Sequence, residues 1–141
     1  GISADIITGF CGETEEQHQD TLSLMEEVQY EFAYMFSYSE RPKTLAERKY
    51  EDDVPAEIKS RRLTEIVDAQ RRHSEIRTKQ GLGKTYRVLV ENVSKKSSEM
   101  MSGRNTQNTV VVFPKGNLKK GDYVNVLITS CTSGTLIGEC V

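Results

Sequence analysis

Apolar positions fall along this chain in two different rhythms, and the change between them divides it. Ala4–Phe10 (ADIITGF) is short, apolar and rich in β-branched residues, which predicts a buried strand. A turn at Cys11-Gly12-Glu13 follows. Thr14 and Gln17 then stand at capping-box spacing: the Thr14 hydroxyl accepts from a backbone N–H while the Gln17 amide reaches back. Glu15 and Glu16 suit the positive end of a helix dipole. The predicted helix runs to about Val28, with His18, Leu22, Met25 and Val28 or Gln29 along one face. Phe32–Tyr38 (FAYMFSY) is aromatic-rich and reads as a second strand. Two strands joined by one helix make a βαβ unit, which requires parallel pairing. Parallel sheets need more than two strands and cover on both faces. The segment is therefore expected to be part of a larger α/β domain, or to pair with something else. Its open parallel edge invites pairing, so residues 1–45 are expected to be marginally stable alone or to adhere to a partner.

Residues 39–54 are polar and irregular. Pro55 suits the first position of a helix, where its missing N–H is harmless. The stretch 55–80 is helical in composition, with a rough apolar stripe of Ile58, Leu63, Ile66, Val67 and Ile76, and Gly81 and Gly83 end it. Beyond Gly83 the period changes. Thr85–Asn92, Glu99–Arg104, Asn108–Phe113, Asp122–Ser130 and Thr135–Cys140 are five strand-like runs separated by polar and Gly/Pro turns. Five short strands in so few residues predict a small barrel of OB type. The chain thus reads as α+β in two parts, residues 1–82 and 83–141, with the boundary near Gly81–Gly83.

Charge sharpens that division. From Lys84 onward there are eight Lys/Arg and four Asp/Glu, a net +4; before it there are eleven and seventeen, a net −6. A basic barrel on an acidic chain points to local contact with a polyanion, although such a patch also serves simple solubility. No apolar run approaches the roughly 18 residues of a membrane span. The start, Gly1-Ile2-Ser3-Ala4-Asp5, lacks a basic region followed by an apolar one, so no signal peptide is expected. It also lacks Met and enters a strand-like run at once, a hint of upstream sequence. Cys11, Cys131 and Cys140 are odd in number and widely spaced; they support neither a disulfide framework nor a metal site and suit reduced, cytoplasmic thiols.

Catalytic patterns are scarce: no GxSxG, HExxH or P-loop occurs, and no catalytic residue or metal ligand is expected in this piece. His18 and His73 are expected at the surface. Glu13 follows a Gly-containing strand-to-helix turn, where backbone N–H groups can meet a ligand. The barrel offers cations at Arg87, Lys95, Lys96, Arg104 and Lys115, amides at Asn105, Gln107 and Asn108, and rings at Tyr86 and Phe113. That mixture is how OB-type folds hold looped or single-stranded RNA. Phe113, just before Pro114, is equally placed for the core.

The run Asp5–Glu16 (DIITGFCGETEE) resembles the DIIVGFPGETEE segment of radical-SAM methylthiotransferases. Tyr38–Ala46 (YSERPKTLA) resembles their YSxRPGTxAA segment, and Asp53-Val54-Pro55 with Lys59–Leu63 resembles the helix that follows. Gly103–Asn108 with Val111-Val112-Phe113 resembles the family's RNA-binding TRAM barrel. The likeness covers essentially the whole chain in order. Its wording at RPxTLA and DDVP is most similar to the MiaB type, which adds a methylthio group to isopentenyladenosine beside the tRNA anticodon; relatives acting on threonylcarbamoyl-adenosine or on a ribosomal protein are the alternatives, as is a stand-alone RNA-binding module.

The resemblance implies a C-terminal fragment of a partial TIM-like α/β barrel, with the two strands as its last two, followed by the TRAM barrel. It implies S-adenosylmethionine and two 4Fe–4S clusters in the full-length protein, and none bound to this piece. Active-site groups of such barrels sit at the C-terminal strand ends, which places Gly9, Gly12, Glu13, Tyr38, Ser39 and Arg41 near S-adenosylmethionine. Tyr38 has an alternative as a packed rim aromatic and Arg41 as an ion-pair partner. The implied partners are the tRNA anticodon stem-loop and the N-terminal part of the same enzyme. Cys11 stands where the family has Pro, Lys43 where Gly is common and Thr109 where a basic residue is frequent. The CxxxCxxC triad of the radical-generating cluster is not in this sequence, so the fragment alone is expected to be inactive.

Overall fold

A computed structural model describes residues 1–95 and 97–141; Lys96 lies outside the described residues. The chain divides into two compact units, built on Ile2–His73 and on Ser74–Val141.

The first unit is β1 (Ser3–Thr8), α1 (Glu15–Val28), β2 (Phe32–Ser37), a short α2 (Leu45–Lys49) and α3 (Ala56–Lys79), whose last turns fall in the second unit. The capping box forms as the spacing requires: Gln17 N donates to Thr14 Oγ1 at 3.2 Å, and Thr14 N donates to Gln17 Oε1 at 3.0 Å. β1 and β2 pair in parallel from Ser3 opposite Phe32 to Thr8 opposite Ser37. α2, in the segment read as irregular, is a single capped turn begun by Thr44, whose hydroxyl accepts from Glu47 N at 3.2 Å.

The sheet corrects the expectation of a strand buried on both sides. Side chains alternate across a strand, and here only one face is covered. Met25, Ile66 and Ala69 pack there with Ile6, Leu22, Tyr30 and Met35. On the other face Ile7, Tyr34 and Phe36 are each more than half exposed, beside Phe32.

α3 corrects a second expectation. Ile66 is buried, but Ile76 is exposed, and the remaining buried positions are largely polar: Lys59, Arg62, Gln70, His73 and Thr78, with Ala69. These recur at helical spacing, so the inward stripe exists but carries charge. His18 and His73, expected at the surface, are both 0% exposed, because each ring sits between α1 and α3 with a carboxylate partner.

The second unit is a closed barrel of β3 (Thr85–Val93), β4 (Met100–Asn105), β5 (Val110–Pro114), β6 (Tyr123–Cys131) and β7 (Thr135–Cys140), in the order β3-β4-β5-β7-β6. The five strands fall within one or two residues of the predicted runs. All pairings are antiparallel except β5 with β7. Val88, Val90, Met101, Val111, Phe113, Val126, Ile128 and Leu136 form its core. Closure requires two close approaches at glycine. A Cβ on Gly103 would lie 2.1 Å from the Leu89 carbonyl oxygen, and one on Gly138 the same distance from that of Leu127. The end of α3 is tied in through Thr78, whose hydroxyl donates to the Ser74 and Ser133 carbonyls at 2.7 and 3.2 Å. Among the described residues no helix is long and apolar enough to cross a membrane.

Candidate functional sites

In the first unit the strand ends converge on a tight knot. Gly9 and Gly12 both hold positive φ, 73° and 77°, so the chain turns sharply between β1 and α1. The Glu13 carboxylate folds back over the turn: it accepts from Gly9 N at 2.7 Å and from Arg62 Nη1 at 2.8 Å, and lies 3.4 Å from the Thr8 hydroxyl. Arg62 also donates to the Glu13 carbonyl at 2.9 Å, and its side chain is only 5% exposed. Gly12 N donates to Asp53 Oδ1 at 2.7 Å. The Lys59 stem passes beneath Gly9, where a Cβ would meet its Cγ at 2.5 Å. The Lys59 ammonium pairs with Asp52 and lies 5.2 Å from the Tyr38 ring centroid.

Three residues expected at a ligand therefore serve first as a brace. Gly9 and Glu13 are bonded to each other and Gly12 is bonded to Asp53, so their polar groups are satisfied within the chain. Tyr38 continues the ladder through its N–H to the Thr8 carbonyl at 2.8 Å, and its ring meets Phe10 edge-on at 5.0 Å. Burial, then the Cys11 thiol beside it, pushes the Tyr38 phenol above its ordinary range. Ser39 and Arg41 are exposed at the same strand end; the Arg41 carbonyl accepts from Thr44. Arg62 and Lys59 are the residues sequence reading passed over. The sequence showed them only as part of the family-like segment Lys59–Leu63, and hydrophobicity does not report their buried spacing.

Beside this knot Gly12, Glu13, Asp53, Val54, Ile58 and Arg62 line a shallow hollow of about 270 Å³. Glu15, His18 and Glu65 bring carboxylate and imidazole atoms within 4.8 Å of one another. Both carboxylates there already bond Arg61, at 2.6 Å from Glu15 and 2.7 Å from Glu65, so each has a partner within the chain.

On the barrel, Arg87, Lys95, Arg104, Asn108 and Lys115 are exposed. Arg104 Nη1 donates to the Asn108 carbonyl at 2.8 Å and lies 3.2 Å from its Oδ1; Asn108 itself takes positive φ. The turn under them is organised by Asn105, whose Oδ1 accepts from Gln107 N at 3.0 Å and Thr109 N at 2.9 Å. Asn105 is buried, so its amide shapes the turn and is not presented to a ligand. Phe113 is likewise corrected: it is 0% exposed in the barrel core, because it alternates inward with Val111 along β5. Tyr86 packs partly against the same core. Tyr123, which sequence reading did not single out, is 59% exposed, and the Arg87 guanidinium lies 4.3 Å from its ring centroid.

Residues 79–141 match the TRAM domain. Over 139 residues, 99% of this chain, the sequence is 64% identical to tRNA-2-methylthio-N(6)-dimethylallyladenosine synthase of Amoebophilus asiaticus, covering 29% of that protein. The synthase of that name from Flavobacterium johnsoniae is 64% identical over 140 residues, and that from Phocaeicola vulgatus 52% over 139, with 29% and 30% of each covered. The chain thus spans about three-tenths of the length of these curated relatives. Among solved structures, the apo form of Mycoplasma genitalium RNase R is similar over 68% of this chain and 19% of its own, at 12% identity and a TM-score of 0.34, a likeness too distant to bear on fold or function. Residues 79–141 thus match the TRAM domain, within a chain that is similar throughout to one segment of the tRNA-2-methylthio-N(6)-dimethylallyladenosine synthases.

Proposed function

We propose that the chain is a segment of a cytoplasmic tRNA methylthiotransferase that adds a methylthio group to isopentenyladenosine next to the anticodon, its barrel gripping the anticodon stem-loop. The observation that carries this reading is 64% identity along 99% of the chain to proteins named for that modification. The barrel's charge agrees with it, since net +4 from Lys84 onward suits a phosphate backbone. The proposed RNA contacts are Arg87, Lys95, Arg104, Asn108 and Lys115. Phe113 is withdrawn because it is buried, and Lys96 is outside the described residues.

Of the cofactors, the 4Fe–4S clusters do not fit this chain's cysteines. Cys11 lies in one unit, and Cys131 and Cys140 lie in the other, all free; a cluster needs several thiolates together. S-adenosylmethionine, which supplies the radical in this family, fits the first unit only in part. Tyr38, Ser39 and Arg41 are proposed to meet it at the strand end, while the Glu13 bonds to Gly9 and Arg62 hold that end in place. The missing N-terminal part of the same enzyme is the proposed partner of the open face of β1 and β2. Ile7, Phe32, Tyr34 and Phe36 stand exposed together on that face, the kind of apolar surface that marks an interaction site.

The test is binding of the chain to an anticodon stem-loop RNA across a salt series. Binding that weakens with salt and falls on Arg104→Ala is the expected result. Absence of binding at low salt would overturn RNA recognition by the barrel and favour a relative that modifies a protein.

A further inference from the structure

The barrel has three aromatic residues, Tyr86, Phe113 and Tyr123. Two of them serve the core. Tyr123 instead begins β6 on the outer face, where it gains little from burial, and one guanidinium, that of Arg87, lies against its ring. The strand register places it in a short row. Tyr123 pairs with Leu89 of β3, and Leu89 pairs on its other side with Arg104 of β4. Tyr123, Leu89 and Arg104 therefore point outward in line across three strands, with Tyr123 and Arg104 about 10 Å apart by the usual strand spacing. Arg87 is two residues before Leu89 and so faces the same side. Arg104 is not a loose side chain: Asn108 holds its guanidinium by two contacts, and the Glu91 carboxylate lies 3.6 Å from its Nε.

A ring, an aliphatic floor and two guanidinium groups on one face match the chemistry of a nucleotide. An unpaired base offers a π-face that stacks on a tyrosine without regard to sequence, and arginine adds cation–π attraction and meets phosphate. We propose that Tyr123, backed by Arg87, is a stacking platform for one unpaired base of bound RNA, and that Arg104, across Leu89, meets a phosphate flanking that base. This rests on the reading of the barrel as an RNA-binding module. A protein partner would also use an exposed ring beside arginine, but the barrel's TRAM assignment and net positive charge favour RNA.

The test titrates the 141-residue chain with a fluorescent stem-loop RNA and, separately, with a fully paired RNA duplex of equal length, each across a salt series. Tyr123→Ala should weaken stem-loop binding roughly 5- to 150-fold, the usual worth of one stacked base. It should leave the slope of log affinity against log salt unchanged, because no phosphate contact is lost. Tyr123→Phe should bind like the parent, and neither change should alter duplex binding, where no base is free to stack. Arg104→Ala should instead lower the salt slope by about 0.7–0.9. Equal stem-loop affinity in the parent and Tyr123→Ala would overturn the platform while leaving the barrel an RNA binder. An equal loss on stem-loop and duplex would also overturn it, since the ring would then be shaping the surface and not reading a base. A parent chain that binds neither RNA would overturn both readings.

Discussion

His18 Nε2 lies 2.7 Å from Glu65 Oε2, and this bond between α1 and α3 has a counterpart further along: His73 Nε2 lies 2.9 Å from Glu26 Oε2. Each helix gives one imidazole and takes one carboxylate. Both pairs join residues 47 apart in sequence, as does the Arg62 bond to Glu15. A constant offset means that the two helices run parallel and in register, as successive helices on one face of a parallel sheet do. The few apolar residues between them, Met25, Ile66 and Ala69, are flanked at both ends by these polar clasps.

The two clasps are eight residues apart on each helix, about 12 Å along the axis. His18→Ala and His73→Ala should each destabilise the first unit by about 2 kcal/mol, from the lost ring packing and bond. At that distance the double variant should show the sum to within about 0.5 kcal/mol. Urea unfolding of the two single variants and the double variant measures this. A double variant no worse than either single one would mean that the clasps act as one element.

The carboxylates set the pH response. Glu65 is held below its ordinary range by its bond to His18 and then to Arg61, and Glu26 by its bond to His73. Glu15 is lowered to about 2, first by Arg61. A carboxylate depressed in the folded state adds stability that is complete above its ordinary pKa, about 4.3, and is lost as pH falls through the depressed value. The carboxylates' contribution to the stability of the first unit should therefore drop progressively below about pH 4, seen as a falling urea midpoint. A midpoint unchanged down to pH 3 would contradict the assignment.

Arg62 is the largest single risk in that unit. It is nearly buried and bonds Glu13 twice and Glu15 as well. Arg62→Ala should cost about 3 kcal/mol or more, because the Glu13 carboxylate, itself only 13% exposed, would be left without its counter-charge. Arg71→Ala is the comparison: that side chain is 76% exposed in a 3.6 Å pair with Asp68 and should change stability by well under 1 kcal/mol. Thermal unfolding of both variants decides the point.

In the barrel, Gly103→Ala and Gly138→Ala should each prevent proper closure. The added carbon would press on a backbone carbonyl that is fixed by neighbouring strands, so relief requires moving a strand and should cost about 3 kcal/mol or more. Gly134→Ala meets nothing within 4 Å and should be tolerated. Circular dichroism melts of the three variants would show the contrast; a stable Gly103→Ala would mean that the strands yield more readily than the packing implies.

Much of the architecture was legible before any coordinates. The capping box at Thr14 and Gln17 and the alternation in the five barrel runs are local signals, each written within a few residues, and the structure follows them. The βαβ order likewise required parallel pairing of β1 with β2. The misplaced residues are those whose partners lie far along the chain. His18, His73 and Arg62 look like surface residues by type, yet tertiary contacts with Glu65, Glu26 and Glu13 make their burial affordable. Phe113 and Tyr123 are both aromatic residues at the ends of strands. Only strand parity within the closed barrel sends the first ring to the core and the second to the surface. Local periodicity by itself determined where the helices and strands lie and that an acidic α/β segment precedes a basic barrel. Which polar groups were buried, which glycines faced carbonyls and which ring remained exposed were decided only by tertiary structure, because burial of a charge depends on a counter-charge that sequence order does not reveal.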